Sequence, residues 1–186
     1  MKRWLTILLL IGVLSGCGSS RSGVDRALNL RNTLLKGNGC TFNAVITADY
    51  GDKLYIFKTK NTVDINGNLT FEVLSPDSIS GITGKIENEK GALTFDNEVL
   101  AFSLLTDDQI SPVSAPWIFV RSLRSGYIRA CEDAQSGMRV QINDSYDEDA
   151  LQMDIWTDSA DIPIRSEILF RGRRIITLDV ENFTIL

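Results

Sequence analysis

Cysteines and a lack of histidine limit the chemistry that this chain can perform. The sequence of 186 residues contains no histidine, which excludes Ser-His-Asp and Cys-His nucleophilic sites and zinc sites with histidine ligands. In an exported protein, Cys40 and Cys131 could form a disulfide; the alternative is two buried free thiols. Neither thiol has an obvious activating partner in the sequence, so catalysis by a cysteine is not expected.

A third cysteine, Cys17, ends an N-terminal segment with the features of an export signal. Lys2 and Arg3 precede an apolar run from Leu5 to Leu14, which is shorter than the about 20 residues that a membrane-spanning helix needs. That length disfavours the alternative, an uncleaved membrane helix. The sequence Leu14-Ser15-Gly16-Cys17 resembles the lipobox of bacterial lipoproteins. This resemblance implies a diacylglycerol thioether on Cys17, cleavage before it, and a mature protein held at the membrane by its lipid.

The sequence therefore predicts three parts: a signal peptide over 1–16, the lipidated cysteine with a flexible tether over 17–23, and a single domain over 24–186. Two of the 19 basic residues and none of the 24 acidic residues lie in the signal, so the mature chain would carry a net charge of −7. Such an acidic domain is a poor candidate for binding nucleic acid, and the lipid would have to supply the membrane anchor.

The hydrophobic pattern predicts an N-terminal helix followed by a long series of strands. Apolar residues share one helical face over 24–36, and Gly37 ends the helix. From Cys40 onward the period changes to two, with turn signals such as Asn66-Gly67. A second helical segment is expected over 112–124, with an irregular crossover as the alternative, and strands resume at Tyr127. The predicted fold is α+β and mainly β: a curled antiparallel sheet that forms an incomplete β-barrel, with an N-terminal helix and a helical lid segment.

This order of elements resembles the lipoprotein-carrier fold of the LolA, LolB and RseB family. The likeness is carried by three stretches: Gly67 to Pro76, Pro163 to Phe170 with Gly172, and Thr177 to Phe183. It implies an open barrel that binds a hydrophobic ligand under a helical lid, or a regulatory protein of the same fold.

A closer resemblance is to LolA-like lipoproteins of clostridia-type Gram-positive bacteria. The stretches that carry it are Ala48 to Asp52, Ser80 to Gly84 and Ser114 to Trp117. A protein tethered through Cys17 cannot shuttle across a periplasm as LolA does, so no lipoprotein-transfer residues are assigned here.

Inward-facing apolar residues are the candidate lining of an acyl-chain cavity, and an ordinary filled core is the alternative. The candidates are Phe42, Ile46, Phe57, Phe71, Val73, Leu151, Met153, Ile155, Phe170 and Leu178. Trp117, Ile118 and Phe119 are the candidate lid, with a helix that plugs the open barrel as the alternative. Arg171, Arg173 and Arg174 flank a tight turn, where they could meet lipid headgroups or simply be solvated.

The first functional hypothesis is a non-enzymatic lipoprotein that binds a lipid, an acyl chain or a lipidated partner. The second is a docking or regulatory lipoprotein with a filled barrel, which would support an extracytoplasmic enzyme or sensor. Neither cofactor nor metal is expected, because the acidic stretch from Asn143 to Asp149 lacks the glycine and the spacing of a calcium loop. The expected location is the outer face of the cell membrane, or the outer membrane in a Gram-negative host.

Overall fold

The structure is a computed structural model that describes residues 23–95, 98–103, 105–106, 109–134, 136–147 and 150–186. The predicted signal peptide, most of the tether and the lipidation site Cys17 lie outside the described residues.

One large antiparallel sheet forms most of the described chain. It follows helix α1 (Gly23–Lys36), which begins and ends within one residue of the predicted helix. The first half of the sheet contains β1 (Gly39–Asp49), β2 (Leu54–Asp64), β3 (Leu69–Ser75), β4 (Thr83–Glu87), β5 (Lys90–Phe95) and β6 (Glu98–Ser103). The second half contains β9 (Tyr127–Ala134), β10 (Gly137–Asn143), β11 (Gln152–Thr157), β12 (Pro163–Phe170) and β13 (Arg173–Ile185).

The segment between the two halves carries the other elements. Two short strands, β7 (Leu105–Thr106) and β8 (Gln109–Ile110), pair with each other in a small separate ladder. A 3₁₀ turn (Pro112–Ser114) then leads into helix α2 (Ala115–Ser125), so the predicted second helical segment is confirmed.

The strand order explains why the barrel stays open. The order is β6-β5-β4-β3-β2-β1-β13-β12-β11-β10-β9, and the last strand of the chain joins the two halves by pairing with the first. Cys40 lies opposite Ile185 and Ala48 opposite Ile176 in this central pair. Among the described residues β6 and β9 do not pair with each other, which confirms the predicted incomplete barrel.

Helix α2 fills the inside of the curled sheet. It touches β2, β10 and β13, and four strands lie between β2 and β10 in the strand order, so the sheet must curl around it. Eight of its eleven residues are buried, because its Pro-rich start and apolar sequence meet the concave face rather than water. Helix α1 packs against β9 and β10, and it also touches α2.

The hydrophobic core lies between α2, α1 and the concave face. Alternating residues of β1 point into it, and Phe42, Ala44, Ile46 and Ala48 are all at most 2% exposed. The described residues contain no helix that is long and apolar enough to cross a membrane.

A cavity at the open end of the barrel

An apolar cavity of about 770 Å³ opens at one end of the barrel. Its size falls within the range of about 300–1,000 Å³ that is typical of small-molecule sites. Residues of β2, β3, β5 and β6 and of the loop between β3 and β4 form its sheet wall, and the segment that precedes α2 forms the other side. The lining residues are Tyr50, Lys53, Tyr55, Phe57, Val73, Ile79, Ile82, Leu93, Phe102, Ile110, Ser111, Pro112 and Val113.

The alternation of β2 supplies two of the aromatic walls. Tyr55 and Phe57 point into the cavity, whereas the neighbouring Leu54 and Ile56 are 62% and 56% exposed on the other face. Residues of the β1–β2 hairpin therefore present apolar side chains to both sides of the sheet at the cavity mouth.

Tyr50 ties the β1–β2 hairpin to the segment across the cavity. Its hydroxyl donates a hydrogen bond to the carbonyl oxygen of Ile110, and its ring packs edge-on against Tyr55 with 6.1 Å between centroids. Burial raises the pKa of Tyr50 to about 12, so the hydroxyl keeps its proton and remains a donor at neutral pH. Ile110 is itself 1% exposed, and the bond holds it against the cavity.

Of the ten residues predicted to line a cavity, Phe57 and Val73 do so. Seven others are buried in the packed core, and Phe170 is half-buried against that core. Those seven are Phe42, Ile46, Phe71, Leu151, Met153, Ile155 and Leu178. The physical reason is the insertion of α2, whose Phe119 ring packs edge-on against Phe42 at 5.6 Å and against Phe183 at 6.1 Å.

The three predicted lid residues lie inside the barrel rather than over the cavity. Trp117, Ile118 and Phe119 are 8%, 6% and 0% exposed, and none of them is among the residues that line the cavity. The alternative interpretation, a helix that plugs the barrel, describes their position. The segment from Ile110 to Val113 borders the cavity instead.

The two described cysteines are free thiols. Cys40 lies on β1 and Cys131 on β9, with four strands between them in the sheet, and the disulfide considered from the sequence is not formed. Burial raises the pKa of Cys40 to about 12, so this group is a protonated thiol at neutral pH and a poor nucleophile. Burial also raises the pKa of Cys131.

Sequence reasoning missed most of the cavity wall. The hydrophobic pattern indicates strands around Ile82 and Leu93 and a helical segment around Val113. The pattern does not indicate whether each residue lines a cavity or packs in the core. Tyr50 and Tyr55 flank the Gly51-Asp52 turn, and amphipathic aromatic residues beside a turn were the one available signal.

The described residues contain no group of three or more side chains that could hold a metal ion. Arg171, Arg173 and Arg174 lie at the β12–β13 turn. Arg174 pairs with Glu167 at 3.0 Å, and Arg173 lies 3.7 Å from Asp49.

No family model matches the sequence, and no curated protein matches it. Several solved structures are similar to the chain. A LolA superfamily protein from Nitrosomonas europaea has a TM-score of 0.47 and 8% identity, over 90% of this chain and 94% of that one. An uncharacterized conserved protein from Thermus thermophilus has a TM-score of 0.47 and 14% identity, over 88% and 87%. The lipoprotein LppX from Mycobacterium tuberculosis has a TM-score of 0.43 and 12% identity, over 87% and 92%.

Proposed function

We propose that this protein is a membrane-anchored, extracytoplasmic lipoprotein that binds the acyl chain of a lipid, or of a lipidated partner, in the open end of its barrel. The observation that carries the proposal is the apolar cavity of about 770 Å³ bordered by Phe57, Val73, Leu93 and Phe102. The lipobox-like sequence ending at Cys17 supports the anchor, and the resemblance to the lipoprotein-carrier family supports a non-enzymatic role.

Apolar contact would supply the binding energy. Each buried methylene group contributes about 0.8 kcal/mol, so ten methylene groups would contribute about 8 kcal/mol before the entropy of association is subtracted. A saturated chain needs no polar partner inside the cavity, and the polar side chains of the described lining residues are the Lys53 ammonium and the tyrosine and serine hydroxyls.

The filled part of the barrel limits where a ligand can lie. Helix α2 occupies the centre, so the ligand would lie between the β2–β6 wall and the segment from Ile110 to Val113 rather than deep inside the sheet. On the closer resemblance, the host is a clostridia-type Gram-positive bacterium and the protein lies on the outer face of its cell membrane. The host and the location both remain predictions.

Ligand binding can be tested with the full-length chain made by cell-free synthesis without membranes, so that Cys17 carries no lipid of its own. A neutral fluorophore such as Nile red reports occupancy, and palmitate is the competitor. Leu93→Trp adds an indole to the half-buried wall of the cavity and should abolish the competed signal. Ile56→Trp is the matched control, because Ile56 lies on β2 between two lining residues but points outward. Equal binding by both variants would contradict the proposal.

A docking role is the second candidate function, and the β6 edge, which pairs with no described strand other than β5, favours it. Phe95, Val99 and Leu100, on and beside the β5–β6 hairpin, are 51%, 69% and 66% exposed. Exposed apolar residues on an unpaired edge strand are typical of a surface that another protein covers. Val99→Lys should prevent capture of a cell-envelope partner in this role, and it should leave palmitate binding unchanged.

A further inference from the structure

Three hydrogen-bond donors at the cavity mouth have no partner among the described residues. The Lys53 ammonium, the Tyr55 hydroxyl and the Ser111 hydroxyl all belong to lining residues. No hydrogen bond or ion pair joins any of these three groups to another described side chain or to the described backbone. Tyr50 differs, because its hydroxyl is already committed to the Ile110 carbonyl. The mouth is therefore rich in free donors.

The mouth also carries a positive charge that forms no ion pair with another described residue. Lys53 is the one charged side chain among the described residues that line the cavity, and it is exposed. The nearby carboxylate of Asp49 accepts a hydrogen bond from the Gly51 N–H at 2.8 Å and lies 3.7 Å from Arg173. It is thus occupied by groups other than Lys53.

We propose that the ligand is an amphiphile with one acidic headgroup, a carboxylate or a phosphate, which binds at Lys53, Tyr55 and Ser111 while its chain enters the cavity. This inference rests on the proposed function, since it names the class of lipid that the same cavity takes. The headgroup stays in contact with water at the mouth, where an anion can be paired without the large cost of burial in an apolar site.

The arrangement also fixes the direction of the chain. An anion at the mouth requires the tail to run inward, toward the buried Phe57 and Ile110, because the reverse orientation would bury the charge beside them. Most of the affinity still comes from the apolar contact, and Lys53 supplies the preference for an acidic over a neutral headgroup.

The test compares palmitate, hexadecyl phosphate and the uncharged hexadecanol as competitors of Nile red on the full-length, unlipidated chain. The acidic amphiphiles should bind about tenfold more tightly than hexadecanol, which is the effect of one charge-assisted hydrogen-bonded pair at an exposed site. Lys53→Gln should remove this preference, so that the two acids bind this variant no more tightly than hexadecanol does. Lys60→Gln is the matched control, because Lys60 is exposed on the same strand but outside the cavity lining.

The outcomes separate the two proposals. Equal binding of all three amphiphiles to the native chain, or a preference that survives Lys53→Gln, would overturn the headgroup assignment while leaving the cavity as an acyl-chain site. A preference for only one of the two acids would support the assignment and narrow the headgroup to that acid. Failure of all three amphiphiles to compete, in a chain that melts cooperatively, would overturn both proposals.

Discussion

The ring of Phe102 lies directly over Gly91 on the neighbouring strand. The two residues are register partners in the β5–β6 pair, and a Cβ atom built on Gly91 would lie 2.3 Å from Cζ of Phe102. Gly91 therefore provides the space in which this ring lies, and the ring in turn forms part of the cavity wall. The shape of this part of the cavity therefore depends on the lack of a side chain at Gly91.

Gly91→Ala should displace the Phe102 ring and weaken binding of a cavity ligand about tenfold. The ring is half-buried and can move away from the new methyl group, so the loss of stability should be modest, about 1 kcal/mol. Competition of palmitate against Nile red measures the first effect, and urea denaturation measures the second.

The double variant Gly91→Ala with Phe102→Leu tests the cause of that effect. The smaller side chain removes the contact with the new methyl group. The double variant should therefore lose less free energy of unfolding than the sum of the losses in the two single variants. Strict additivity would mean that Gly91 acts through its backbone rather than through Phe102.

Helix α1 holds the carboxyl end of α2 through Arg31. The Arg31 Nε donates to the Leu123 carbonyl oxygen at 2.7 Å, and Nη2 donates to that of Gly126 at 2.7 Å. Carbonyl groups at the end of a helix lack hydrogen-bond donors within the helix, and here the half-buried Arg31 guanidinium donates to them. Burial lowers the pKa of Arg31, but the group remains charged at any pH that a folded protein tolerates.

Arg31→Met should reduce the free energy of unfolding by about 2 kcal/mol, because partly buried carbonyls lose a charged donor. Arg31→Lys should restore little of it, since an ammonium cannot reach both oxygens in the same forked geometry. Arg129→Met is the control, because Arg129 is exposed and makes no hydrogen bond or ion pair with another described residue. Equal midpoints of urea denaturation for the Arg31 and Arg129 variants would contradict the proposed role.

Much of this fold follows from periodicity alone. The alternation over β1 and the helical spacing over α1 both predict elements whose ends agree with the structure to within a residue or two. The second half of β2, which continues to Asp64, shows no such alternation of apolar and polar residues. The reason is that Thr59 and Asn61 are buried at 1% and 0% exposure, and polar residues on the inner face hide the alternation.

The site was harder to predict than the fold. Periodicity identifies the inner face of each strand, but it does not say which part of that face α2 covers. Phe42 and Phe57 look alike in the sequence, yet Phe42 packs against Phe119 while Phe57 lies on the cavity. Glycine is a common turn residue, yet Gly91 lies within β5 beneath Phe102. Whether an inner-face residue lines the cavity or packs in the core depends on contacts between residues far apart in the chain.

Stability should fall in mildly alkaline solution because of Cys40. Burial raises the pKa of this thiol from 9.0 to about 12 in the folded protein. Between these values the folded state binds more protons than the unfolded state, so the free energy of unfolding decreases as the pH rises, by about 1.4 kcal/mol per pH unit. Urea denaturation at pH 8, 9 and 10 should show the decline beginning near pH 9. A second decline is expected above pH 10 from Tyr50, whose pKa is raised from 10.0 to about 12.

Cys40→Ala should remove the decline between pH 9 and pH 10, even though the smaller side chain lowers stability at every pH. Cys131→Ala is the matched comparison, because Cys131 is half-buried and its variant should change the profile less. A Cys40→Ala variant that keeps the full alkaline slope would show that another group titrates.

The proposed anchor makes a prediction that distinguishes the three cysteines. Cells that express the full-length protein and receive an alkyne analogue of palmitate should attach it to this protein through Cys17. Cys17→Ser should lose the label in a gel after coupling to a fluorescent azide, and the intact mass should lack the lipid.

Cys40→Ser and Cys131→Ser are matched controls for this experiment. Each removes one thiol of a described residue, and each should keep the label if lipidation takes place at Cys17. Because acyl chains contribute about 0.8 kcal/mol per buried methylene group, only the labelled variants should remain with the membrane through a lipid. Label that persists in Cys17→Ser, or that is lost in Cys131→Ser, would contradict the lipobox interpretation. Neither result would bear on the proposal that the cavity binds an acyl chain.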